Sequence, residues 1–341
     1  MKILIAGLGS IGRRHLRNLR ALGEEDILLY RTHQATLPDE ELAGLPVETD
    51  LRRALDLGPA AVVVANPTAL HLDVAIPAAR AGCHLLMEKP ISHSLERVDE
   101  LAAAVEQNDC RVLVGFQFRF HPALQKAAEL LGSGAIGRIL SVRSQWGEYL
   151  PSWHPWEDFR QGYAARLDLG GGVILTLCQS LDYLRWLLGE VEKVWAFKSS
   201  ANLGLPVEDS AEIGLQFASG AIGSAHLDYN RQPGLHQLDV VGAEGTLQWD
   251  NADGTLRLYR AASQAWETFS PPPGFERNVL FVDEMRHFLA AARGEAAPLC
   301  TLEDGRRALA LALAAHESAD SGKMIAFPAP AKPKRAGRSA R

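Results

Sequence analysis

Lys2-Ile-Leu-Ile-Ala6 runs into Gly7-Leu-Gly9-Ser-Ile-Gly12, and a helical pattern with Leu16 and Leu19 on one face follows at once. Strand, glycine turn and helix in that order constrain the fold more than any other stretch. Gly7 lets the chain reverse tightly, Gly9 carries no Cβ to hold a phosphate away from the backbone, and Gly12 lets the helix lie close to its strand. The free N–H groups and positive dipole end of that helix then point at the space above the turn. Gly7, Gly9, Ser10, Ile11 and Gly12 are therefore the candidate cradle for a dinucleotide pyrophosphate.

The strand and helix alternation continues for about a third of the chain. Asp26–Tyr30 reads as a second strand, ending in Arg31-Thr32-His33. An acidic residue there would hold ribose hydroxyls, whereas an arginine suits a 2′-phosphate, so Arg31 favours NADP(H), with NAD as the alternative. A short helix near Leu51–Leu57 leads to Ala60-Ala-Val-Val-Val-Ala65, which is apolar without alternation, as a parallel strand covered on both faces requires. Helix His71–Ala81, strand Cys83–Met87, helix Leu95–Asn108 and strand Arg111–Gly115 complete the pattern. Asn66-Pro67-Thr68 and Glu88-Lys89-Pro90 fall at carboxyl ends of strands, where doubly wound sheets bind ligands. With His71 and Gln117 they share one rim with the glycine turn.

The pattern changes after His121. Helix Ala123–Leu131 leads to Arg138–Trp146, which alternates with period two, and from about Glu190 several such strands follow, separated by turns at Ser219-Gly220, Gly242–Gly245 and Asp253-Gly254. Helices are expected near Gly172–Leu188, Asn278–Ala292 and Leu302–Ser318. At 341 residues, and with roughly 150 residues per domain, two domains are expected. The fold class is α/β: a Rossmann domain over 1–121 and, over 122–327, an α+β domain on an open, mostly antiparallel sheet. Residues 328–341, proline-rich and basic, read as a flexible tail.

A net charge of −6 gives no reason to expect a nucleic-acid partner, and no apolar run reaches the roughly 18 residues of a membrane span. Met1 leads directly into the first strand, so neither leader nor anchor is read and a cytoplasmic location is expected. Cys83, Cys110, Cys178 and Cys300 lack C-x-x-C spacing and read as buried, inert thiols. No metal is expected, since neither H-x-x-x-H nor a carboxylate cluster at ligand spacing occurs. An open sheet face points to a homodimer or homotetramer.

With the glycine turn, Asn66-Pro67-Thr68, Glu88-Lys89-Pro90 and Gly115-Phe-Gln-Phe-Arg-Phe-His-Pro122 in this order, the chain resembles the glucose–fructose oxidoreductase / inositol dehydrogenase (Gfo/Idh/MocA) family from Met1 to about Phe327. The resemblance implies NAD(P)-dependent hydride transfer at a hydroxyl or keto carbon of a sugar, sugar acid, nucleotide sugar or cyclitol. It also implies that Lys89 reaches both the nicotinamide ribose and the reacting oxygen. A positioned ammonium can stabilise an oxyanion or shuttle the hydroxyl proton, which is the chemistry that step needs.

The family's second element, an acid and a histidine on a helix after a glycine run, falls on Gly170-Gly-Gly172 through Trp186. By register Asp182 matches the acid three residues after the histidine, but the histidine position is Gln179, and the earlier acid falls at Leu175 or Thr176. An apolar stripe of Ile174, Leu177, Leu181, Leu184 and Leu188 leaves Thr176, Gln179 and Asp182 for the cleft. Gln179 cannot take a proton near neutral pH. The remaining substrate-site candidates are Arg119 and the aromatic, hydrogen-bonding loop that holds Trp153, His154, Tyr163 and Arg166, with His154 also a candidate proton acceptor. Without the histidine, two other readings stand: transient oxidation enabling elimination, epimerisation or glycoside cleavage, and a cofactor- or sugar-binding sensor that has lost catalysis.

Overall fold

The computed structural model describes residues 1–32 and 40–327. His33 and the 328–341 tail lie outside the described residues. In chain order the strands are β1 (Ile3–Ala6), β2 (Ile27–Tyr30), β3 (Val47–Glu48), β4 (Ala61–Val64), β5 (His84–Met87), β6 (Val112–Val114), β7 (Ile139–Tyr149), β8 (Val191–Ser199), β9 (Ser210–Phe217), β10 (Ile222–Asp228), β11 (Asn230–Gly242), β12 (Gly245–Asp250), β13 (Thr255–Arg260), β14 (Ala265–Phe269) and β15 (Ile325–Ala326). The helices are α1 (Ser10–Ala21), α2 (Leu51–Asp56), α3 (His71–Arg80), α4 (Val98–Gln107), α5 (Pro122–Gly132), α6 (Val173–Thr176), α7 (Gln179–Leu188), α8 (Arg277–Ala292) and α9 (Leu302–Ser321).

Strands β1 to β6 form one parallel sheet in the order β3-β2-β1-β4-β5-β6. Its order reverses between β1 and β4, and the crevice above their carboxyl ends is where such sheets take ligands. Every residue of β1 and β4 is buried, which is why both read as unbroken apolar runs.

The other nine strands form a second sheet in the order β14-β13-β12-β11-β7-β10-β9-β8-β15. All its pairs are antiparallel except β7 with β10. One face packs on helices, and β9 shows the resulting strict alternation of buried and half-buried residues. The chain crosses between the sheets through a tight turn at Gln117–Phe120. Helices α8 and α9, which the sequence assigns to the second domain, also touch the first: α8 packs on α1, and α9, which lies mainly on β8 and α7, also meets β6. Gly305 of α9 lies so close that an added Cβ would stand 2.7 Å from Ile91 and 2.9 Å from Val114.

Two expectations are corrected. The helix read as starting at Leu95 begins at Val98, after Arg97 in the left-handed region at φ 62°. The continuous helix read over Gly172–Leu188 is broken in two at Leu177-Cys178. All four cysteines are buried free thiols, and burial pushes Cys83 up to about 11 and Cys178 up to about 12.

Candidate active site

The glycine turn divides into packed and open positions. A Cβ on Gly7, whose φ is +97°, would stand 2.4 Å from the Asn66 amide nitrogen, and one on Gly12 would stand 2.0 Å from the Gly7 carbonyl oxygen. At Gly9 an added Cβ meets nothing within 4 Å. The first two glycines therefore serve the fold, and the third keeps a space clear. Gly9 and Ser10 are exposed, and no acidic residue stands in the first turn of α1 to repel an anion. This geometry fits a dinucleotide pyrophosphate, which Gly9, Ser10 and Ile11 would hold through backbone N–H groups. Arg31 ends β2 as read, with its backbone N–H donating to the Glu48 carbonyl at 3.1 Å.

Three residues expected to touch the cofactor are buried and held by contacts to protein. His71 is buried, with ring nitrogens 2.8 Å from the Asn66 carbonyl oxygen and 2.9 Å from that of Pro90, so it ties the turn after β4 to the turn after β5. Burial holds its pKa below the ordinary imidazole value. Thr68 is also buried, packed beneath Gly170, where an added Cβ would stand 3.2 Å from it. Glu88 accepts from His15 Nε2 at 2.7 Å and from its neighbour's amide, Lys89 N, at 3.3 Å. Burial disfavours the Glu88 carboxylate, but the His15 hydrogen bond and nearby cationic charge outweigh it and hold the pKa below the usual value. Asn66 donates from Nδ2 to the Leu70 carbonyl at 2.8 Å, and Gln117 is buried in the crossover turn.

The break between α6 and α7 carries the central feature. In an unbroken helix the Thr176 carbonyl would accept from Ser180 N, but that N–H donates to Leu177 O instead. The freed Thr176 oxygen accepts from Lys89 Nζ at 2.6 Å. The Gln179 amide is satisfied in the orientation that places its oxygen 3.1 Å from Lys89 Nζ and its nitrogen 3.2 Å from Thr176 O. Lys89, Thr176 and Gln179 thus form one cluster, and two oxygens from the second domain fix an amine from the first. Glu208 supports it by accepting from Ile174 N at 3.0 Å at the start of α6.

Asp182 does not join that cluster. Its two oxygens accept from Arg119 Nε at 2.9 Å and Nη2 at 2.7 Å, with Asp182 1% and Arg119 3% exposed. Asp182, read as catalytic, and Arg119, read as a substrate contact, form a buried pair that locks α7 to the crossover turn. Burial opposes the Arg119 charge, and Asp182 more than offsets this and raises its pKa. Replacing Arg119 with methionine leaves a buried carboxylate unpaired, and we expect a loss of about 3–5 kcal/mol in denaturant unfolding.

The long loop is only partly brought to the cluster. The Tyr163 phenol feels the Lys89 charge, which opposes the upward shift that burial gives it. Trp153 packs edge-on against Tyr229 at 5.7 Å, and His154 lies against Trp156 at 5.2 Å. Arg166, read as a substrate contact, is exposed and paired with Asp168, Nε to Oδ1 at 3.0 Å. Residues unmarked by sequence reasoning are His15, Glu208 and Glu284. A single histidine within α1 and two isolated acids carry no spacing signal, and chain segments far apart bring them in.

The chain matches two family models: an oxidoreductase family with an NAD-binding Rossmann fold over residues 1–116, and a GFO/IDH/MocA C-terminal domain over 124–248. It is similar to the 1,5-anhydro-D-fructose reductase of Ensifer adhaerens, 30% identical over 273 residues that cover 77% of this chain and 78% of that one. The chain belongs to the GFO/IDH/MocA oxidoreductase family. Another member of the family, the myo-inositol 2-dehydrogenase of Thermotoga maritima, is 26% identical over 343 residues, covering 95% and 98% of the two chains. The GFO/IDH/MocA fold is matched over 96% of this chain and all of the other by a levoglucosan dehydrogenase in complex with NADH and levoglucosan, at TM-score 0.86 and 22% identity.

Proposed function

We propose that the protein transfers hydride between a nicotinamide dinucleotide and a secondary alcohol or ketone carbon of a sugar-like or cyclitol substrate. The observation that carries this reading is the Lys89 amine, which follows β5 at its carboxyl end and is held by the Thr176 carbonyl at 2.6 Å. When bound, the nicotinamide supplies or accepts the hydride. Lys89 holds the reacting oxygen and moves its proton, while Thr176 and Gln179 keep the amine from swinging away. Because Gln179 can only orient, proton transfer falls to Lys89. The substrate class is supported by the names of the three relatives above, a reductase of 1,5-anhydro-D-fructose and dehydrogenases of myo-inositol and levoglucosan, and by the Trp153–Trp156 loop. Arg31 at the end of β2 supports NADP(H) over NAD. Calorimetry with NADH and NADPH tests the reading: saturable binding is expected, tighter for NADPH, and binding of neither overturns it.

A second reading follows from Gln179. With an amide in place of an imidazole, the site suits a protein that holds cofactor and sugar without net turnover. In that case Gln179→His brings dehydrogenase activity where the unmodified protein has none, and robust activity of the unmodified protein excludes it.

The outer face of the second sheet exposes Phe197 at 64%, Ile222 at 61% and Trp266 at 50%. We infer that a second copy covers this face. Light scattering should give a multiple of the chain mass, and the double substitution Phe197→Lys, Ile222→Lys should give the monomer. Among the described residues no helix is long and apolar enough to cross a membrane.

A further inference from the structure

Beside the turn that carries Lys89 lies a second, buried cluster. His15 of α1, Glu88 after β5 and Glu284 of α8 bring one nitrogen and two carboxyl oxygens within 4.8 Å of one another. His15 and Glu284 are 0% exposed and Glu88 7%. His15 Nε2 donates to Glu88, but His15 Nδ1 and both oxygens of Glu284 have no hydrogen-bond partner. A buried carboxyl without partners, beside a second carboxylate already charged, favours its neutral form as long as no further positive charge is close by.

We propose that Glu284 is a neutral carboxylic acid that stores a proton beneath the cofactor cleft and releases it when an oxidised, positively charged nicotinamide is seated beside Lys89. This rests on the dinucleotide reading above. Glu88, whose carboxyl oxygen lies within 4.8 Å of that of Glu284 and which alone of the three has any exposure, at 7%, is the member through which the released proton passes to solvent. No electron moves in this step: one O–H bond of Glu284 breaks and buffer takes the proton.

The surroundings of Glu284 fit this role. Burial first, and the Glu88 charge second, push its carboxyl well above the ordinary range, while the Lys89 charge pulls the other way. A further positive charge at the position of a bound nicotinamide acts in the same sense as Lys89. The other ionisable groups facing the cluster are already committed. On α1, Arg14 lies over Phe281 at 4.5 Å, and on the crossover turn Arg119 is bound to Asp182. His121, beside that turn, accepts from Ala123 N through Nδ1 and is held down to about 4 by burial. His71 is held by two carbonyls, and Arg277, in the first turn of α8, opposes the charge of Arg14. A divalent cation is the competing occupant of such a donor set, and metal content of the purified protein separates the two.

The test is calorimetry of the full chain with NAD+, NADH, NADP+ and NADPH, each in phosphate and in Tris, whose different ionisation enthalpies report proton release. The oxidised form should release roughly half a proton or more beyond its reduced partner, and Glu284→Gln should abolish that difference while still binding. Equal release by the two forms, a difference that survives in Glu284→Gln, or a stoichiometric divalent metal in the purified protein overturns the proposal. Should Glu284→Gln fail to fold, the infrared spectrum of the unmodified protein decides: a buried protonated-carboxyl band lost on adding the oxidised form supports it, and no such band overturns it. If none of the four dinucleotides binds, the function proposed above fails instead, and the carboxyl band of the free protein still tests whether Glu284 is neutral.

Discussion

Replacing Lys89 with alanine lowers turnover by about 10²–10⁴-fold while cofactor affinity changes by only a few-fold. The amine is fixed by Thr176 O at 2.6 Å and by Gln179 at 3.1 Å, a position that an alanine side chain cannot reach. The pyrophosphate cradle lies on another element, at the start of α1, and does not depend on the Lys89 side chain. Fluorescence titration with dinucleotide and steady-state kinetics on one preparation separate the two effects. Loss of folding in place of loss of turnover assigns Lys89 a structural part, as the pin between the two domains.

The glycine turn supplies the second large effect, because its positions answer to different demands. Gly9→Val should leave the melting temperature unchanged and weaken dinucleotide binding at least tenfold, since the added side chain meets only the space kept for phosphate. Gly12→Ala should do the reverse first: its Cβ would lie 2.0 Å from the Gly7 carbonyl oxygen, and overpacking of this kind costs about 1–3 kcal/mol. Thermal unfolding of both variants, with and without NADPH, checks the contrast. A Gly9→Val variant that binds normally would move the nucleotide away from this turn.

The same contrast shows how much of the site is legible in the chain. Spacing marks all three glycines alike, because a turn and a phosphate both need small residues, yet the packed neighbours of Gly7 and Gly12 are what separate fold from ligand. Glu88 and His71 read as rim residues because they sit at strand ends. They prove to face inward because a buried carboxylate and a buried imidazole each need partners, and His15, Asn66 and Pro90 provide them. The histidine missing at position 179 is plain in the sequence, but the helix break before it is not. Leu177 and Cys178 have nothing in their local propensity that predicts a stop.

Local patterning was sufficient for the α/β class and the first βα unit, since strand periodicity and glycine geometry are short-range properties of the backbone. Pairing was decided elsewhere. Asp182 lies 63 residues from the Arg119 that claims it, and Lys89 lies 87 residues from the carbonyl that anchors it. Which of several suitable partners a buried charge takes depends on which elements pack together, and packing of distant segments leaves no mark at fixed sequence spacing.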